Sequence, residues 1–124
     1  MLFDRTCVDG GWNSGNGVVY GVPLRPHVEA TAIALLALQD EQRTEVVEKS
    51  LLWLQQRAAT VESASSLAWT ILSLFTYRES IQQLQDRLAI MIGNGAGIGN
   101  NATLAVVLLA LRCGEMIHPF RVLR

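Results

Sequence analysis

Cysteine, charge and long apolar runs are all scarce in this chain, and each scarcity removes a class of protein. Two cysteines, Cys7 and Cys113, are too few for a disulfide framework or a Cys-x-x-Cys metal site. Only 17% of the 124 residues are charged, and ten Lys and Arg against eleven Asp and Glu leave a net charge of -1. A balance so even supplies no electrostatic pull toward nucleic acid. The longest uninterrupted apolar run, 104–111, is less than half a bilayer crossing. At the start, Asp4 interrupts Met1-Leu2-Phe3 before an export signal can build, so the cytoplasm is the expected compartment. What is abundant is apolar: half of the residues are hydrophobic and the mean hydropathy is +0.26, which excludes disorder. The length is that of one domain, 1–124.

The expected folding class is all-α, with about five main helices. A Gly-rich opening segment, 1–25, contains Asp9-Gly10-Gly11-Trp12-Asn13-Ser14-Gly15-Asn16-Gly17, which forbids regular helix and favours turns. Pro26 then supplies a helix start, and good helix formers run to about residue 39. Further helices are expected over 44–57, 63–77, 80–92 and 100–113, with a tail at 114–124. The segments 26–57 and 63–92 are each expected to form a hairpin, and 100–113 the last inner helix. A second Gly-rich stretch, 93–100, reads as a turn between helices: it has neither a strand before it nor a Lys after it, as a phosphate cradle would.

The helices alternate in character. The first, third and fifth are apolar almost all round, whereas the second and fourth are amphipathic. In the second, Val46, Val47, Ser50, Leu51 and Leu54 share a stripe; in the fourth, Ile81, Leu84, Leu88 and Met91 do. The apolar helices also repeat. Segment 31–38 matches 67–74 after a shift of 36 residues, and 67–74 matches 104–111 after a shift of 37. A repeat of that length is the signature of stacked helix hairpins, none of which can bury its own apolar face. Inner apolar helices wrapped by outer amphipathic ones favour a ring over an open solenoid, although an open stack and a plain bundle also fit. A ring would need more hairpins than this chain holds, so an incomplete ring is expected. Its uncovered ends offer apolar surface for self-association or contact with a membrane surface.

The run Asp9-Gly10-Gly11-Trp12-Asn13, followed by Pro26 and then by Thr31-Ala32 opening an Ala/Leu helix, resembles the repeat of squalene and hopene cyclases and of protein prenyltransferase β-subunits. Residues 45–56 resemble the outer helix that follows in that repeat. The resemblance implies an α/α toroid with a central cavity for polyprenyl or triterpene chains, and it makes Asp9 to Asn13 a structural turn with Trp12 as its staple. It also implies what chemistry to look for. Cyclases of this kind use an Asp-x-Asp-Asp acid cluster, which is absent, since Asp4, Asp9, Asp40 and Asp86 are isolated. The prenyltransferases hold zinc; here the weak candidates for ligands are Cys7, Asp9 and His27, in a spacing that matches no standard zinc pattern. No catalytic residue is assigned.

Trp69, near the start of the third helix, is the one candidate for lining a ligand cavity, where an aromatic face stabilises a cation. The expected function is therefore a cyclase- or prenyltransferase-like domain that forms part of a hydrophobic cavity for a polyprenyl-like isoprenoid ligand. The alternative is a non-catalytic helical-repeat interaction module, or a truncated remnant, that binds a protein or lipid partner.

Overall fold

The computed structural model describes residues 2–13, 18–23, 25–95 and 97–115. Five α-helices dominate the described residues: α1 (Val28–Ala37), α2 (Glu45–Ala58), α3 (Ala64–Thr76), α4 (Gln82–Gly93) and α5 (Asn101–Leu111). The described residues are helical in the main, with a minimal hairpin in the opening segment, β1 (Val18–Val19) paired antiparallel with β2 (Val22–Pro23). Tyr20 and Gly21 connect the two with φ of 51° and 76°. That double positive φ is what a two-residue turn needs to match the twist of its strands. The expected tail falls mostly at 116–124, outside the described residues, as do Ser14 to Gly17.

Side-chain caps start three of the helices. Thr44 Oγ1 accepts the Val47 N–H (3.4 Å), Ser63 Oγ the Ser66 N–H (3.3 Å) and Asn100 Oδ1 the Thr103 N–H (2.8 Å). The first helix begins at Val28, two residues later than Pro26 promises. The His27 N–H donates to the Trp12 carbonyl (2.8 Å), which holds that stretch extended across the glycine turn.

The helices form two layers. The inner helices α1, α3 and α5 lie side by side, with α3 in the middle; α2 packs mainly on α1 and also on α3, and α4 packs on α3 and α5. One core cluster joins Trp12, Leu35, Leu38, Val47, Leu51, Leu54, Leu74 and Tyr77. The other joins Leu36, Leu67, Ala68, Ile71, Leu72, Leu88, Val107 and Ala110. The alternation seen in the amino-acid pattern is thus the alternation of layers. The three inner helices are unequally covered, however. α3 buries Leu67, Ala68, Ile71, Leu72 and Leu74 completely or nearly so, whereas Ile33 on α1 is 43% exposed and Leu104 and Leu108 on α5 are 40% and 51% exposed. A helix in the middle of a layer has neighbours on both sides, and one at either end has a neighbour on one.

Polar ties cross between the layers. The Gln85 side-chain amide donates to the Ala110 and Cys113 carbonyls at the end of α5 (2.9 and 3.1 Å), capping groups the helix cannot satisfy itself. Arg87 does the same for Ala58 (2.6 Å) and Val61 at the end of α2. The buried Tyr77 hydroxyl donates to the Leu35 carbonyl across the α1–α3 contact (2.6 Å). Burial pushes its pKa up to about 12, against a smaller opposing pull from the Arg43 guanidinium.

That shift gives a pH prediction. The unfolded chain loses the Tyr77 proton near pH 10, the folded chain near pH 12, so stability is unaffected by this group below about pH 10 and falls as pH rises toward 12. The loss is about 3 kcal/mol when complete. Urea denaturation of the wild type and Tyr77→Phe across that range should show the two stabilities converging as pH rises; parallel curves would refute it.

No described helix is long and apolar enough to cross a membrane.

Candidate functional site

The most elaborately bonded part of the molecule is the turn at Asp9 to Asn13. Gly10 and Gly11 both have positive φ, 92° and 79°, and two buried hydroxyls grip the backbone beyond them. The Gly11 N–H donates to Ser50 Oγ on α2 (2.8 Å), and the Trp12 N–H to Thr31 Oγ1 on α1 (2.9 Å). The Thr31 hydroxyl in turn donates to the Trp12 carbonyl (3.1 Å). The Trp12 indole N–H reaches the Leu2 carbonyl (2.7 Å), and Lys49 Nζ reaches the Val8 carbonyl (2.7 Å). Buried backbone groups that a turn would leave unpaired are satisfied in this way. The turn therefore clamps α1 to α2, with the Trp12 ring buried beneath it.

Thr31 lies in the motif that carries the family resemblance, so its importance was legible. Ser50 falls within the stripe that the amino-acid pattern assigns to the buried face of α2. A lone hydroxyl on a buried face is the signal that it binds something, because an unpaired buried hydroxyl costs free energy.

The three weak zinc candidates do not assemble into a centre. Among the described residues no three His, Cys, Asp or Glu side chains are placed to hold a metal ion. Cys7 is buried; desolvation, and to a smaller degree the Asp9 charge, push its thiol pKa up against an opposing hydrogen bond from the Asn13 backbone. Asn13 Nδ2 donates to its sulfur at 3.8 Å and to the Arg25 carbonyl at 3.4 Å. A thiol held protonated is a poor nucleophile and a poor metal ligand.

Trp69 is half-buried and packs against both core clusters, at the seam between them. It sits on α3 where α1 carries Ile33 and α5 carries Val106. It lines neither of the two larger hollows beside the glycine turn.

Three hollows adjoin the glycine turn; the smallest, about 300 Å³, lies over Gly10 against α2, and the other two are larger. One of these two, of about 650 Å³, is lined by Val8, Asp9, Arg25, Pro26, Val28, Trp53 and Arg57, and is mixed in character. In it the Arg57 guanidinium lies 5.8 Å from the centre of the Trp53 ring. The other, about 350 Å³, is a largely apolar groove along the free edge of α1, between Leu2, Trp12 and Asn13 on one wall and Ala30, Ile33, Ala34 and Ala37 on the other. Arg5 also lines it. Such a groove can hold an apolar chain or a helix face; it offers no acid–base pair.

Comparison with protein-family models, curated proteins and solved structures finds no match to this chain.

Proposed function

We propose that the chain is a non-catalytic helical-repeat interaction module, which works by completing a two-layer α/α wall against a protein partner. The carrying observation is a mismatch between equivalent positions of the repeat. Leu35 of α1 and Ile71 of α3 are fully buried, whereas Leu108, their counterpart on α5, is 51% exposed. The same holds for Ala32 and Ala68 against Ala105. A helix apolar all round is built to be covered on every side, and the far side of α5 is bare.

The test is a Leu104→Gln/Leu108→Gln double variant probed with a naphthalene-sulfonate dye that fluoresces on apolar surfaces. Dye fluorescence should fall steeply while the urea midpoint stays near that of the wild type. A large drop in midpoint would mean that these leucines hold the fold together, and would overturn the reading.

The apolar groove beside Trp12 favours a second reading, in which the wall is that of a squalene-cyclase- or prenyltransferase-like domain and the groove receives part of a polyprenyl-like ligand. Saturable quenching of tryptophan fluorescence by an isoprenoid alcohol such as farnesol, lost in Ile33→Glu, is the expected result. Quenching that is unsaturable, or indifferent to that substitution, would exclude it.

A further inference from the structure

We infer that the partner is a second copy of this chain, stacked head to tail, with α1 and the amino-terminal turn of one copy seated on α5 of the other. This rests on the interaction-module reading above and names its occupant. The argument comes from the repeat itself. The two inner contacts within one chain, α1 on α3 and α3 on α5, are the same packing step made twice, since the helices are related by shifts of 36 and 37 residues.

Each helix therefore has a rear face, turned to the preceding inner helix, and a forward face, turned to the next. On the rear side, Ser73 of α3 and Ala110 of α5 are fully buried, but their counterpart Ala37 on α1 is exposed, as is Ile33 beside it. On the forward side, Ala32 and Ala68 are fully buried, but Ala105 on α5 is exposed. The chain thus carries one unmatched rear face and one unmatched forward face, and the packing step already used twice joins them.

Three further observations fit that step. Small residues line the rear face of α1 (Ala30, Ala34 and Ala37), leaving a groove into which larger side chains can seat. Leu104 and Leu108 correspond to Thr31 and Leu35, which turn toward the outer layer. The outer-layer side of α1 is where Trp12 and Leu2 lie, so the Leu2–Phe3 turn of the second copy would come to rest over the two exposed leucines. Finally, Arg112 at the end of α5 is level with Gln39 in the repeat, which brings it beside Asp40 and Glu41 of the second copy. Arg112 and those two acids have opposite charge, and in the single chain Arg112 has only a long, exposed pairing with Glu115 (3.8 Å).

Helices of ten and eleven residues give a contact about 15 Å long. That, plus one turn, falls at the small end of specific interfaces, so the association is concentration-dependent. Because the two patches differ, the interface is heterologous: it propagates to a closed ring or an open stack rather than stopping at a two-fold dimer.

Two exposed substitutions test this. Ile33→Glu blocks only the rear face, and Ala105→Glu only the forward face. Sedimentation of the wild type should show mass rising with concentration beyond a dimer, each variant alone should remain monomeric, and an equimolar mixture should form a one-to-one heterodimer that grows no further. Circular dichroism confirms that both variants are folded. A wild type monomeric at all concentrations, a variant that still self-associates, or a mixture that fails to pair would each overturn the stacking. If the wild type is monomeric yet the Leu104→Gln/Leu108→Gln variant loses dye binding as expected, the interaction surface stands and only this occupant falls; if the wild type is monomeric and that loss is absent as well, both readings fall.

Discussion

Gly11→Ala should be among the most damaging single substitutions in the molecule, lowering stability by about 3 kcal/mol or more. Two costs add. The residue holds φ at +79°, a conformation an L side chain resists, and a Cβ there would lie 2.8 Å from both Pro26 Cβ and Thr31 Oγ1. Neither neighbour can yield freely. Pro26 is a ring without rotamer freedom, and Thr31 is held by its hydrogen bonds to both the N–H and the carbonyl of Trp12.

Moving the backbone instead would pull the Gly11 N–H off Ser50 and loosen α1 from α2 together. Gly21→Ala is the control. Its φ of +76° is similar, but nothing lies within 4 Å of the added carbon, so only the backbone strain of about 1 kcal/mol remains. Urea denaturation of the two variants decides the matter: similar losses would mean that the clash at Gly11 is relieved and that the turn is not a rigid clamp.

The same turn shows what could be read in advance. Its glycines, Trp12 and Thr31 stand close in a recognisable pattern, so a turn against the first helix was legible. Ser50 lies 39 residues from Gly11, and no local pattern announces a bond of that range. The alternation of layers was legible because a helix writes its environment into its sequence at a period of 3.6 residues. The hairpin of Val18–Val19 and Val22–Pro23 was not, since two residues per strand are too few to show alternation.

Bare ends follow from the expected incomplete ring, but which residues of α1 and α5 lie exposed was not legible. Their composition predicts burial, and whether a helix is buried depends on how many neighbours it has, which composition does not contain. Where the amino-acid pattern and the packing disagree in this way, the disagreement is what supports the proposed contacts outside the single chain. Cys7, Asp9 and His27 are not gathered into a three-ligand group among the described residues: nearness in sequence says little about convergence in space, and the Cys7 sulfur lies against the Asn13 side chain.

Truncating the same repeat position on each inner helix turns that disagreement into a measurement. Leu35, Ile71 and Leu108 are equivalent under the repeat, and the first two are fully buried. Leu35→Ala and Ile71→Ala each remove buried carbons and leave a hole that a close-packed core cannot fill, at a cost of about 2–5 kcal/mol. Ile71 should lie toward the upper end, because it sits in the middle helix with neighbours on every side.

Leu108→Ala removes a side chain already half in water, so the monomer should lose less than about 1 kcal/mol. Measured at protein concentrations low enough to prevent association, a three-way equality would mean that α5 is covered in the monomer and that its bare face is not there to be bound. The expected split, large, large and small, would establish that one repeat unit encodes a buried contact three times while a single chain satisfies it twice. At high concentration the third should grow, because the leucine then has something to lose.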